Sequence, residues 1–151
     1  VPDFIPGLQF TYHGAYGNGN IEEEPHWHYQ SVYTSFETIY SVLSFETFQG
    51  KGNSEGSAIQ DTVAFSAVPQ YGYSAFGELK FFKSKFSVFG RYDDQILLYN
   101  SGNERNQRFI GGLAYHFIKG SKIIIDYEHL DYRSNAKPDA YAFELALEIR
   151  F

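Results

Sequence analysis

Three groups of residues in this 151-residue chain have types and spacings that could do chemistry. His26-Trp27-His28 follows Glu22-Glu23-Glu24-Pro25. On an extended strand His26 and His28 share a face, and nearby carboxylates could complete a Zn²⁺ or Cu²⁺ site. An acidic loop leading into a Trp with flanking His accounts for the same residues without a metal, so neither metal nor cofactor is expected. Glu144 and Glu148, with Asp126 and Glu128 upstream, offer carboxylates for general acid–base work. A hydrolase also needs a nucleophile beside a base, and no spacing binds Ser74, Ser87 and His116 together for that purpose. A strand face of paired charges is the simpler reading, and the chain is expected not to be an enzyme. Gly50-Lys51-Gly52-Asn53-Ser54-Glu55-Gly56 lacks the G-x-x-x-x-G-K-[ST] order of a phosphate-binding loop and reads as a mobile loop.

Composition narrows the classes further. The chain is 43% apolar and 19% aromatic, too apolar for a disordered segment. It has no Cys, which removes disulfides and thiol chemistry. A net charge of −6 with 12 Lys and Arg leaves no clustered basic face for nucleic acid. The longest aliphatic run is Ile123-Ile124-Ile125, far short of the roughly 18–20 residues of a membrane helix. A mean hydropathy of −0.36 does not close the membrane question, because strands with apolar residues at alternate positions average out as polar.

The elements that would position these residues are strands. From Tyr141 to Phe151 every odd position is large and apolar, while the even positions are Ala142, Glu144, Ala146, Glu148 and Arg150. Period-2 alternation over eleven residues exceeds a typical soluble strand and matches a tilted membrane strand of about 9–11 residues. Weaker alternation recurs at 8–16, 73–81, 86–93, 109–118 and 123–128. Residues 26–49 read as two more strands, split near Glu37-Thr38. Lys83-Ser84-Lys85 and Lys119-Gly120-Ser121 read as tight turns, and 18–25, 50–70, 99–107 and 134–139 as longer polar loops. Short and long connections therefore alternate. An up-and-down arrangement of eight strands results, with both chain ends on the short-turn side. Lys83, Lys85, Lys119 and Lys122 gather at the turns, and Glu22, Glu55, Asp61, Glu104 and Asp139 fall in the loops.

The C-terminal strand resembles that of bacterial outer-membrane β-barrels, with Phe151 last and Tyr141, Phe143, Leu145, Leu147 and Ile149 at alternate positions before it. The segments Pro2–Phe10, Phe48–Asn53 and Gly111–Phe117 look porin-like. The resemblance implies an all-β, antiparallel up-and-down transmembrane barrel formed by residues 1–151 as one domain, or as the C-terminal portion of a larger barrel. It implies an outer-membrane location with short turns periplasmic and long loops extracellular. Its partners would be the lipid bilayer, lipopolysaccharide and the barrel-assembly machinery, which reads the terminal strand as an insertion signal. A further protein partner or oligomer stays open. Glu78, Lys80, Arg91, Asp126, Glu128, Glu144, Glu148 and Arg150 would line the lumen.

Two alternatives stand beside that expectation. A soluble β-barrel or sandwich would turn the same apolar face inward. Eight strands closed on themselves leave an interior filled by side chains, whereas 16–18 leave a pore. A porin-like passage for small solutes or ions is therefore expected if the barrel is large, and a structural or partner-binding role if it is small. A start at Val1 fits a cleaved leader or a cut within a larger porin.

Overall fold

The computed structural model describes residues 6–22, 25–61, 65–81, 85–118, 120–133 and 138–149. The strands are β1 (Leu8–Asn18), β2 (His26–Glu37), β3 (Ser41–Lys51), β4 (Ile59–Asp61), β5 (Ser66–Ala67), β6 (Pro69–Phe81), β7 (Phe86–Tyr99), β8 (Gly102–Ile118), β9 (Ser121–Tyr132) and β10 (Ala140–Glu148). Eight of them form one antiparallel up-and-down sheet in the order β1-β2-β3-β6-β7-β8-β9-β10, while β4 and β5 make a small hairpin of their own. The expected division between β2 and β3 falls at 38–40. There the Thr38 hydroxyl accepts hydrogen bonds from the Tyr40 and Ser41 amides and fixes the turn.

One expected loop is instead a hairpin. Residues 99–107 lie mostly in strand, with β7 and β8 joined by Asn100-Ser101 alone and paired from Tyr99↔Gly102 downward. The run Asn103-Glu-Arg-Asn-Gln107 has poor strand propensity, but pairing with β7 along its whole length, and with β9 from Asn106 on, overrides it. Three connections lie at the turn end of the sheet and four at the other, one of those four being this tight hairpin.

The loop over Gly50–Gly56 is built rather than loose. The Asn53 side-chain carbonyl accepts from the Ser57 and Ala58 amides, and its amide group donates to the Ser57 hydroxyl. Gly52 and Gly56 take φ of +65° and +76°, conformations in which a β-carbon is strained. Val68, almost fully buried, exchanges backbone bonds with Gly52 and Ala58, and the Asn20 amide reaches the Ser54 carbonyl. The two loops at this corner thus pack into one cap.

The ladder fixes which residues share a face, because side chains alternate along each strand. Phe10, Thr34, Phe45, Ala75, Tyr92, Phe109, His129 and Tyr141 form one row across all eight strands. That row starts near the turn end of β1 and finishes near the loop end of β10. The strands are therefore staggered and tilted relative to the sheet as a whole. Among the described residues β1 and β10 are the free edges of the sheet, each paired on one side only.

Candidate functional site

The two faces of the sheet differ in chemistry, and that difference is the candidate site. On the first face, here called outer, lie the large apolar side chains. Phe10 is 72% exposed, Phe143 83% and Leu145 72%. These residues are bare in the isolated chain. Along β6 to β10 they fall into zones. Tyr73, Tyr92, Phe109, Tyr127 and Tyr141 stand toward the loop end, and Phe81, Phe86, Tyr115 and Phe117 toward the turn end. Val88, Leu113, Ile123, Ile125, Leu145 and Leu147 lie between. Tyr73 and Phe81 are eight positions apart on β6, about 26 Å of strand at ~3.3 Å per residue. Neighbouring rings touch along these zones. Tyr73 meets Phe45 and Tyr92, Phe86 meets Tyr115 at 4.8 Å, and His129 stacks on Tyr141 at 4.6 Å.

Charges on the outer face are confined to its loop-end margin. Among the described strand residues they are Lys51, Asp94, Arg105 and Asp131, with the imidazoles of His26, His28 and His129 near the same border. Asp94 is only 2% exposed and is held by several donors. Arg105 Nε approaches its Oδ1 at 2.9 Å, and the Arg105 Nη2 donates to its Oδ2. The Tyr92 hydroxyl and the Gln107 amide complete the shell. Arg133 then bridges the Gln107 carbonyl and Asp131. Every cation of this cluster is matched by a carboxylate, so the margin is polar and close to neutral.

The opposite, inner face carries most of the charge. The register puts seven of the eight expected lining residues there together: Glu78, Lys80, Arg91, Asp126, Glu128, Glu144 and Glu148. Arg150 lies outside the described residues, as does Phe151. Tyr141, Phe143, Leu145 and Leu147 share the outer side of the last strand, and Ile149 stands exposed just past its end at Glu148. Sequence reading missed Glu37, Glu46, Asp93, Glu104, Arg108 and Lys122 on the inner face. Glu46 and Asp93 fall within the stretches 26–49 and 86–93, and Arg108 and Lys122 one residue before those that start at 109 and 123, so the same alternation would have found them. Glu104 needed the unexpected β7–β8 hairpin.

Inner-face ion pairs run along β7 (Arg91–Asp93), between neighbouring strands (Arg108–Glu128 and Lys122–Glu148) and across β3 (Lys80–Glu37). Lys80 Nζ lies 3.1 Å from Glu37, Arg91 Nε 2.8 Å from Asp93, and Lys122 Nζ 3.1 Å from Glu148. Arg108 Nε is 2.7 Å from Glu128, an ion-pair approach whose angle is not that of a hydrogen bond. These groups stay wet: the Arg91 side chain is 46% exposed and Glu148 51%. Between them, aromatic rings sit over glycine. A β-carbon on Gly72 would stand 2.7 Å from the Phe48 ring, and one on Gly112 would stand 2.5 Å from Phe89. A recess of about 250 Å³ opens at mid-face between Tyr33, Ser44, Glu46, Ser74, Phe76 and Arg91.

The other candidates do not assemble. His26 and His28 lie on the outer face, with His26 Nδ1 2.7 Å from the Asn18 side-chain oxygen. No group of three or more His, Asp or Glu able to hold a metal ion occurs among the described residues. Ser74, Ser87 and His116 all face inward, but among the described residues no hydrogen bond joins either hydroxyl to the imidazole, and Ser87 Oγ is buried without a partner. No described helix is long and apolar enough to cross a membrane, which says nothing of strands. Comparison with protein-family models, with curated proteins and with solved structures found no match to this chain.

Proposed function

We propose that the sheet is the wall of a porin-like outer-membrane β-barrel, with its apolar face in lipid and its charged face lining a water-filled passage for small solutes or ions. One observation carries this reading. Outer-face charges among the described strands stop at the loop-end margin, whereas the inner face is charged along its length. A lipid-facing surface needs an apolar band about 25 Å tall, flanked by aromatic girdles, and a lumen tolerates the reverse. In water the same exposed band would be an aggregation surface.

The stagger across the eight strands supports closure, because a sheet closes into a barrel only when its strands tilt by a fixed shear. The lipid also requires it, since an unpaired strand edge leaves backbone polar groups unsatisfied in hydrocarbon. The open, wet inner face supports a wide lumen in which further strands cover β1 and β10. The second reading pairs β1 with β10 directly. Their antiparallel sense permits it, and the result is a small barrel with a filled interior and no passage.

The chain has no Cys, so single cysteines report position without background. In lipid vesicles Glu144→Cys is expected to react with a water-soluble thiol reagent, and a fluorophore on Leu145→Cys to be quenched by brominated acyl chains. A Leu145→Cys fluorophore that the brominated chains leave unquenched would assign the chain to a soluble fold, in which the apolar face turns inward and Glu144→Cys still reacts. Planar-bilayer recording then separates the two membrane readings: stable open levels support the passage, and their absence with correct labelling supports the small closed barrel.

A further inference from the structure

We infer that the passage prefers cations, a step that rests on the porin-like reading and adds the class of solute it favours. The argument is one of balance across the inner face. Its cations among the described residues are Lys80, Arg91, Arg108 and Lys122, and each is committed to a carboxylate, namely Glu37, Asp93, Glu128 and Glu148. Five further carboxylates face the same way: Glu46, Glu78, Glu104, Asp126 and Glu144. Among the described residues no ion pair reaches any of them. Among the described residues Glu46 accepts a hydrogen bond from the Tyr29 hydroxyl alone, at 3.2 Å.

The imbalance is distributed rather than gathered into one cluster. The five acids lie on β3, β6, β8, β9 and β10, from the loop end at Glu104 toward the turn end at Glu78. Asp126 and Glu144 stand directly opposite each other on β9 and β10, an arrangement that costs stability between like charges. Mobile counter-cations in the lumen relieve that repulsion. A passage lined by one sign of excess charge between low-dielectric walls concentrates the opposite ion and excludes its own sign. The outer margin has no such surplus, because Arg105 and Arg133 answer Asp94 and Asp131.

The test is the zero-current potential of the protein in planar bilayers between concentrated and dilute potassium chloride. The expected result is a potential of the sign set by potassium moving down its gradient. Asp126→Asn with Glu144→Gln is expected to lower the potassium-to-chloride permeability ratio by at least about twofold. Lys122→Gln frees Glu148 and is expected to move the ratio the other way. A potential of zero or of chloride sign, or variants that leave it unmoved, would overturn the inference while the passage itself stood. Absence of any conductance would instead remove the porin-like reading beneath it. Both variants are first checked for insertion by the Leu145→Cys quenching signal, so that failure to fold is not read as loss of selectivity.

Discussion

The outer face of the sheet carries its large side chains bare, with Phe143 and Leu145 among the most exposed, while the inner face seats aromatic rings over glycines and, among the described residues, pairs each of its Lys and Arg side chains with a carboxylate. Both faces are built from the same strands with the same backbone bonds. The difference lies in what each face meets. In the proposed barrel an outer side chain would meet lipid and need only be apolar, so Leu, Ile, Val and Phe would be interchangeable there to first order. An inner side chain meets particular neighbours, so its size and charge are set by the residue opposite. The outer face should therefore be sensitive to polarity and tolerant of shape, and the inner face the reverse.

The largest effect that can break this contrast is a charge placed in the outer band. Leu113→Arg, on β8 between Val88 and Ile125, is expected to cost about 2–4 kcal/mol of folding stability in lipid vesicles. Glu144→Gln, on the inner side of β10, is expected to stay within about 0.5 kcal/mol. Urea unfolding from vesicles, followed by tryptophan fluorescence, measures both. The single Trp27 serves as the reporter, and its indole N–H donates to the Asn18 carbonyl. Equal costs at the two positions would mean that the two faces do not meet different media.

Shape gives the next effect, with the order of the faces reversed. Gly112→Leu drives a side chain into the Phe89 ring and the Asp126 β-carbon, and is expected to cost about 1–3 kcal/mol. Leu113→Phe, one residue away on the outer face, changes volume with no neighbour to strike and is expected to be near neutral in the same assay. A neutral Gly112→Leu would show that the inner face is not packed against its own rings.

How much of this was legible in the sequence follows from the same contrast. Alternation is a property of one strand, so it revealed the faces, the apolar stripe of β10 and most of the inner charges. Arg105 and Gln107 were read as loop because their types are poor strand formers. What holds them in strand is the partner across the sheet, Ile96 for Arg105 and Asp94 for Gln107, and a single strand cannot announce its partner. Asp94 could have been flagged, since it breaks the apolar series Phe86, Val88 and Tyr92 on its own face. The inner-face ion pairs that join different strands depend on register and are not readable from spacing, unlike Arg91–Asp93, two positions apart on β7.

The smallest effects sharpen the contrast at the level of ion pairs. Asp94 is nearly enclosed, and Arg105 supplies two of its donors, so Arg105→Gln strips a carboxylate that water barely reaches. The expected cost is about 1–3 kcal/mol, that of leaving a buried acceptor incompletely satisfied. Lys122 and Glu148 are separated by 3.1 Å but both reach solvent, with side-chain exposures of 32% and 51%. Water takes over when either partner leaves, so Lys122→Gln is expected to cost no more than about 1 kcal/mol. Salt separates the two further: raising ionic strength should erase the Lys122 effect and leave most of the Arg105 effect, because screening acts on charges that solvent reaches. If Lys122→Gln proved the costlier change, the inner face would have to be drier than its exposure indicates. A filled, closed interior would then account for the molecule better than an open passage.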